Sequence, residues 1–249
     1  MDLRERAPTD GSRHPWETVR SVFFNRKIVG LTNNRPVHIL DIGSGDCWFS
    51  EQLIAKLPQG SQIICSDINF TDEDIAAASK PGINKVRNIP QQSFDIVIML
   101  DVLEHIEDDL AFLQHDVVPR LRPEGHVVMS VPAHPSLFTS HDTFLGHYRR
   151  YTRRQLLDVS GKFFSNNQNG YLFTSLVLVR LLQRVTTSKT VDAESGIGNW
   201  GAGMMVTNLV NYALFIDAFV SRALQTIQVR IPGLTVWTIC SSNQSVASK

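Results

Sequence analysis

One short stretch constrains this chain more than any other: Val37 to Cys47, VHILDIGSGDC. The near-continuous apolar run Val37–Ile42 reads as a strand buried on both faces. Asp41-Ile-Gly43-Ser-Gly45 follows it, and Phe49–Leu57 then has a helical pattern that stops before Pro58-Gln-Gly60. Glycines two residues apart let the backbone turn tightly and approach a ligand with no side chain between. Strand, glycine turn and helix in that order open an α/β sheet that holds a nucleotide-like ligand at the turn. Trp48 stands where the dinucleotide fingerprint GxGxxG needs its third glycine, and no Lys-Ser/Thr pair follows to make a P-loop.

The pattern repeats downstream. Gln62–Ser66 reads as a second strand ended by Asp67, and Thr71-Asp-Glu-Asp opens a helix whose acidic first turn suits the helix dipole. Phe94–Leu100 is a further strand, Asp109–Leu121 a helix, and Gly125–Val131 another strand. Alternation of this kind predicts βαβ units and a parallel sheet. Residues 132–151 form a long loop, Thr152 and Gln155 make a capping box for a helix Arg153–Phe164, and Ser165–Gly170 is a polar connector. An apolar strand-to-helix segment, a polar link Thr186–Trp200, a helix Met204–Ile227 and a last strand Leu234–Cys240 complete the chain. One domain over 1–249 is expected. It comprises a helical lid at 1–33, a cofactor-binding core at 34–165, and the last strands at 166–249 around a helical insertion at about 176–230.

Composition narrows the field. Lys plus Arg equals Asp plus Glu at 24 each, so there is no basic field to attract nucleic acid. Three cysteines without CxxC spacing suit a reducing compartment, and the charged N-terminus lacks a signal peptide's apolar core. The apolar stretches Tyr171–Leu182 and Met204–Val220 contain Arg180 in one case and Asn208, Asn211 and Asp217 in the other, which argues against spanning helices. A soluble cytoplasmic protein is the expectation.

An acid closing the second strand can accept both hydroxyls of a ribose, and Asp67 stands there. LDIGSGDCWFSEQL, then CSDIN at 65–69 and FDIVIMLDVLEHIEDD at 94–109, resembles the motif series of class I S-adenosylmethionine-dependent methyltransferases, specifically the type 11/12 methyltransferase domains. The resemblance covers roughly residues 36–160. It implies a Rossmann-like, doubly wound seven-stranded sheet with an antiparallel last strand, interrupted here by the C-terminal helical insertion. It also implies S-adenosyl-L-methionine as cofactor and S-adenosyl-L-homocysteine as product. Carried over, Asp41, Gly43 and Gly45 would line the methionine part, Asp67 the ribose and Ile68 the adenine, with Leu100 and Asp101 beside the methionine end. The chain departs from the pattern at Cys47, where many members have glycine, and at Lys85–Pro90, which lacks an acid near the adenine amino group; Asn88 would serve there.

Methyl transfer from a sulfonium is an in-line displacement, so the protein's task is to position two molecules and exclude water; an oxygen nucleophile gains further from a general base, most often His. Ligands sit beyond the carboxyl ends of parallel strands. Glu104 and His105 fall there, either orienting a substrate or capping a helix and packing against the cofactor pocket. The loop VPAHPSLFTSHDTFLGHYRRYT crowds polar groups after a strand end, resembles the HD…GHYRRYT segment of one methyltransferase subset, and is longer than a plain connector needs. His141 or His147 is the expected base, oriented by Asp142. His134, Tyr148, Arg149 and Arg150 join Glu104 and His105 as candidate substrate contacts, an arginine pairing bidentately with a phosphate or carboxylate. The histidine spacing fits no closed zinc pattern, so no metal is expected.

His14-Pro-Trp16-Glu17 opens an N-terminal helix to Leu31 that either covers the cofactor or packs on the sheet edge. The apolar C-terminal insertion (Leu172, Leu176, Val179, Leu182, Met204, Met205, Leu209, Leu214, Phe215, Phe219) could wall a cavity for a lipid-like acceptor, form subdomain core, or make a homodimer face or peripheral membrane contact. The leading expectation is O-methylation of a small-molecule or lipid-like acceptor. Alternatives are an N- or C-methyltransferase, a non-catalytic cofactor-binding partner protein, and a nicotinamide-dependent reductase; the last is disfavoured by Trp48.

Overall fold

A computed structural model describes residues 13–177, 203–226, 229 and 231–243. The polar link Thr186–Trp200, Val179 and Leu182 lie outside the described residues.

The glycine turn folds as its sequence requires. Strand β1 (His38–Ile42) runs into it, and helix α2 (Trp48–Ile54) leaves it. Gly43 and Gly45 have φ of 68° and 56°. Cys47, standing where glycine is common in the family, also takes a left-handed φ of 64° as the N-cap of α2.

Seven strands form one sheet in the order β3-β2-β1-β4-β5-β7-β6. Strands β2 (Gln62–Ser66), β3 (Ile83–Val86), β4 (Phe94–Leu100) and β5 (Leu121–Pro132) pair in parallel with their neighbours in the β1 half. Strand β7 (Thr235–Ser242) inserts antiparallel between β5 and β6 (Phe164–Leu172). The strand order reverses at β1 and β4, which makes the carboxyl ends of these two strands the place where a ligand binds in such a sheet.

Period-two alternation assigns each strand's side chains to two separate cores. Ile39, Ile63, Ile96, Ile98 and Trp237 pack under α1 (Pro15–Leu31) through Val19, Phe24 and Ile28. Leu40, Val97, Met99, Val127, Met129 and Val236 fill the opposite face with Leu156 of α6 (Arg153–Ser160).

Three expectations need correcting. The polar stretch Ser165–Gly170 is not a connector but most of β6. An edge strand has one pairing partner and exposed faces, so asparagines are tolerated there while β7 supplies the ladder. The helix expected over Asp109–Leu121 is broken into α4 (Asp109–Phe112), a π turn (Leu113–Val117) and a 3-10 turn (Val118–Arg120), because Pro119 cannot donate to a regular helix. Residues 132–151 are not uniformly loop: Thr139 and Asp142 make a capping box that starts α5 (Ser140–Leu145), and Gly146 closes it at a φ of 78°. Short helix α3 (Asp72–Ala76) carries the expected acidic first turn, with a capping box from Thr71 and Asp74.

Helix α7 (Met204–Thr226) packs against α1 and buries Leu214 and Ala218. Its Asp217 carboxylate accepts from the backbone N–H of Thr174 and Ser175, each at 2.9 Å, tying the helix to the turn after β6. By length and composition the window Met204–Ser221 is apolar enough to cross a membrane, with a mean hydropathy of 1.4. Met204, Met205, Leu209 and Phe219 are exposed on it.

Candidate active site

A cleft of about 1140 Å³ opens over the carboxyl ends of β1, β2, β4 and β5, roofed by the start of α1 and walled by α5 and the segment after it. Its first half is the glycine turn. The N–H of Gly43 donates to the Ser66 carbonyl at 2.8 Å and that of Gly45 to the Asp67 carboxylate at 2.9 Å, which folds the turn back onto the end of β2. A Cβ on Gly43 would stand 2.7 Å from Val102 Cγ2, so the backbone must stay bare there. Asp67 also accepts from the Asn69 N–H at 2.9 Å and is thereby held in one rotamer. Beside it Ile68 is 82% exposed, an apolar side chain laid open on the cleft wall. Asn88 lines the same end.

Asp41 is buried under the turn and accepts from Ser50 Oγ at 2.6 Å. Burial raises its pKa to about 6, against the lowering effect of the Ser50 hydroxyl. Asp101, at the end of β4, takes a left-handed φ of 59°; its carboxylate is paired with Arg20 of α1 and accepts from Ser130 Oγ at 3.0 Å. Arg20 in turn lies over the Trp16 ring, 4.2 Å from its centroid. The N-terminal helix is therefore pinned across the glycine-turn end of the cleft by a part-buried ion pair. Sequence reasoning did not identify Arg20, and only its salt-bridge partner across the fold reveals its role. His14, which caps α1, has its pKa lowered to about 4 by burial and stays neutral, as its role as acceptor for the Trp16 N–H requires.

The second half of the cleft belongs to Glu104, His105 and the 139–150 segment. Asp142 is buried and organises that segment. Its Oδ1 lies 3.0 Å from His147 Nδ1 and 2.7 Å from Arg150 Nε, its Oδ2 accepts from Arg150 at 3.0 Å, and the Thr139 N–H adds a fourth contact at 2.8 Å. Burial alone would raise the Asp142 pKa; the His147 and Arg150 hydrogen bonds and the guanidinium charge overcome it and hold the carboxyl well below its ordinary range. With Nδ1 engaged, His147 keeps Nε2 for other work. Its ring stands edge-on to His105, 4.6 Å between centroids. Glu104 is fully buried, and among the described residues neither carboxylate oxygen bonds to another residue. Burial first, and the Asp101 charge second, push its pKa well up.

The candidates from sequence separate accordingly. Gly43, Asp67, Ile68, Asn88, Leu100 and Asp101 gather at one end of the cleft, with Gly45 in the turn behind them, while Asp41 lies buried beneath the turn against Ser50 and does not line the cleft. Glu104, His105, His141, Asp142, His147, Tyr148 and Arg150 line the other. Arg150 commits its fork to Asp142. His134 stacks on Tyr171, and Arg149 binds the Glu107 carbonyl and Asp109, both away from the cleft lining.

A turn that cannot bear a side chain, an acid fixed at the end of β2, and an exposed apolar residue beside it fit an adenosine ligand with an amino-acid tail. A family model described as a methyltransferase domain matches residues 17–186. The chain belongs to the methyltransferase domain family. Solved structures share the fold of this methyltransferase. The S-adenosylmethionine dependent methyltransferase from Mesorhizobium loti is 13% identical, over 92% of this chain and 98% of that one, with a TM-score of 0.55. The N-methyltransferase NodS from Bradyrhizobium japonicum WM9 is 13% identical, over 92% and 98%, at 0.51. The plantazolicin methyltransferase BpumL, in complex with SAH, is 15% identical, over 93% and 86%, at 0.53. No curated protein matches the sequence closely enough to stand as a relative. The methyltransferase is of class I, its methyl donor is S-adenosylmethionine, and the seven-stranded sheet with β7 reversed is the form its motifs implied.

Proposed function

We propose that this methyltransferase acts at an oxygen of a small-molecule or lipid-like acceptor, with His147 as the general base. The Asp142–His147 pair on the cleft wall carries the reading. Bound S-adenosylmethionine supplies an activated methyl group on a positively charged sulfur. At the glycine-turn end, Asp67 would accept both ribose hydroxyls, Ile68 would lie against the adenine with Asn88 near its amino group, and Gly43 and Asp101 would face the amino-acid tail, with Asp41 supporting the turn from beneath through Ser50. Arg20 and Trp16 hold α1 over that end and keep water out.

At the acceptor end the ionised Asp142 accepts a hydrogen bond from the His147 Nδ1–H, which fixes the tautomer that leaves the Nε2 lone pair outward. Nε2 then receives the hydroxyl proton as the oxygen attacks. His141, on α5, lines the same wall. Trp16, Phe112, Phe173 and Leu176 give the cleft an apolar lining suited to a greasy or aromatic acceptor.

The test is S-adenosylhomocysteine formation from S-adenosylmethionine over a panel of phenols, carboxylic acids and amines. Hydroxyl acceptors should turn over, and His147→Ala should lose roughly 100-fold in kcat while binding S-adenosylhomocysteine as wild type does. Turnover of amines alone, undiminished in His147→Ala, would remove both the oxygen acceptor and the base.

A further inference from the structure

We propose that Glu104, His105 and His147 form a binding site for a divalent transition-metal ion at the inner end of the cleft. Each offers one ligand atom, and the three atoms lie within 4.8 Å of one another. In a tetrahedral site with bonds of about 2.0–2.1 Å, ligand atoms stand roughly 3.4 Å apart, so side-chain rotation alone closes the set.

Proximity is not the whole case. Glu104 is completely buried, and neither carboxylate oxygen has a hydrogen bond from another described residue. A buried carboxyl without a partner is costly to ionise and leaves its oxygens without hydrogen bonds, so such a group is rare in a fold unless a ligand completes it. A cation between it and the two imidazoles supplies that compensation. Behind His147 the support for a ligand is already built: Asp142 holds Nδ1 at 3.0 Å and is itself held by Arg150 and Thr139, which orients the ring and leaves Nε2 to bind. The Tyr148 N–H donates to the Glu104 carbonyl at 2.7 Å, locking the two segments that contribute ligands to each other.

Two imidazole nitrogens and one carboxylate oxygen favour zinc, cobalt or nickel over magnesium or calcium, and three protein ligands leave a position open toward the cleft. No spacing signature betrays the site in sequence, because His147 arrives from a distant loop. The inference deepens the reading of His147 as base: one nitrogen cannot hold an ion and accept a proton together, so a filled site blocks turnover.

The experiment titrates the chelator-treated full-length protein with Co²⁺ and follows its visible absorption, then displaces it with Zn²⁺. Wild type should develop the bands of a low-coordinate Co²⁺ site. Glu104→Gln, nearly the same shape, should bind at least about tenfold more weakly with an unchanged melting temperature, and Asp142→Asn should also lose about tenfold. Absent bands in wild type, or full affinity in Glu104→Gln and His105→Gln, overturns the site. Zinc inhibition relieved by chelator supports the site and the base together. Zinc activation keeps the site and overturns the base.

Discussion

One carboxylate, Asp142, holds both His147 and Arg150: its Oδ1 lies 3.0 Å from the histidine Nδ1 and 2.7 Å from the arginine Nε. The sharing couples stability to chemistry. Asp142→Asn should free the imidazole tautomer and lower kcat by about 100-fold or more, with affinity for S-adenosylhomocysteine unchanged. It should also cost about 3 kcal/mol in denaturant unfolding, because Arg150, largely buried, loses its carboxylate partner and keeps only the Ala133 carbonyl. Lost stability with full activity would reduce Asp142 to a structural role.

Asp67 should be read out by binding alone. Its carboxylate already accepts from Gly45 and Asn69, and a ribose adds charge-assisted bonds worth about 1.5–3 kcal/mol. Asp67→Asn should therefore weaken S-adenosylhomocysteine roughly 10- to 100-fold in calorimetry. A smaller loss would place the ribose elsewhere.

The pKa of Asp41 makes a statement about pH. Its folded value, about 6, lies above the ordinary carboxyl value of 3.8, so the folded state holds the proton more tightly than the unfolded chain. The Asp41 contribution to the stability of the cofactor-free protein is therefore fully present below that window and falls by roughly 3 kcal/mol as pH rises through it. Asp41→Asn removes this component. Wild-type and Asp41→Asn unfolding curves measured from pH 4 to 7 should diverge; parallel curves would refute the raised pKa.

Gly43→Ala tests the turn. A methyl there meets Val102 Cγ2 at 2.7 Å and must take a φ of 68°. The expected cost is about 1–3 kcal/mol with weakened cofactor binding. Adding Val102→Ala should recover the part due to the clash and leave the part due to φ, which thermal melts of the single and double variants separate. Complete recovery would show that the φ imposes no strain.

Much of the fold was legible in the chain itself. The buried runs at Val37–Ile42, Gln62–Ser66 and Phe94–Leu100, the paired glycines and the capping boxes at Thr71 and Thr152 are local signals, each decided by neighbours within a few residues. The glycine turn was legible for the same reason, since Asp41 to Gly45 is one turn and Asp67 directly follows the adjacent strand. What only the tertiary structure decided depends on partners far away in sequence. The polar Ser165–Gly170 became strand because β7 offered a ladder to pair with. Arg150 serves Asp142 where its place in the crowded loop suggested a substrate contact. Arg20 closes α1 over Asp101, and Glu104 meets His147 across the cleft. Dihedral preference and periodicity act along the chain, whereas desolvation and charge pairing act through space; the first two wrote the glycine turn, the last two the Arg20–Asp101 closure and the Asp142–His147 wall of the cleft.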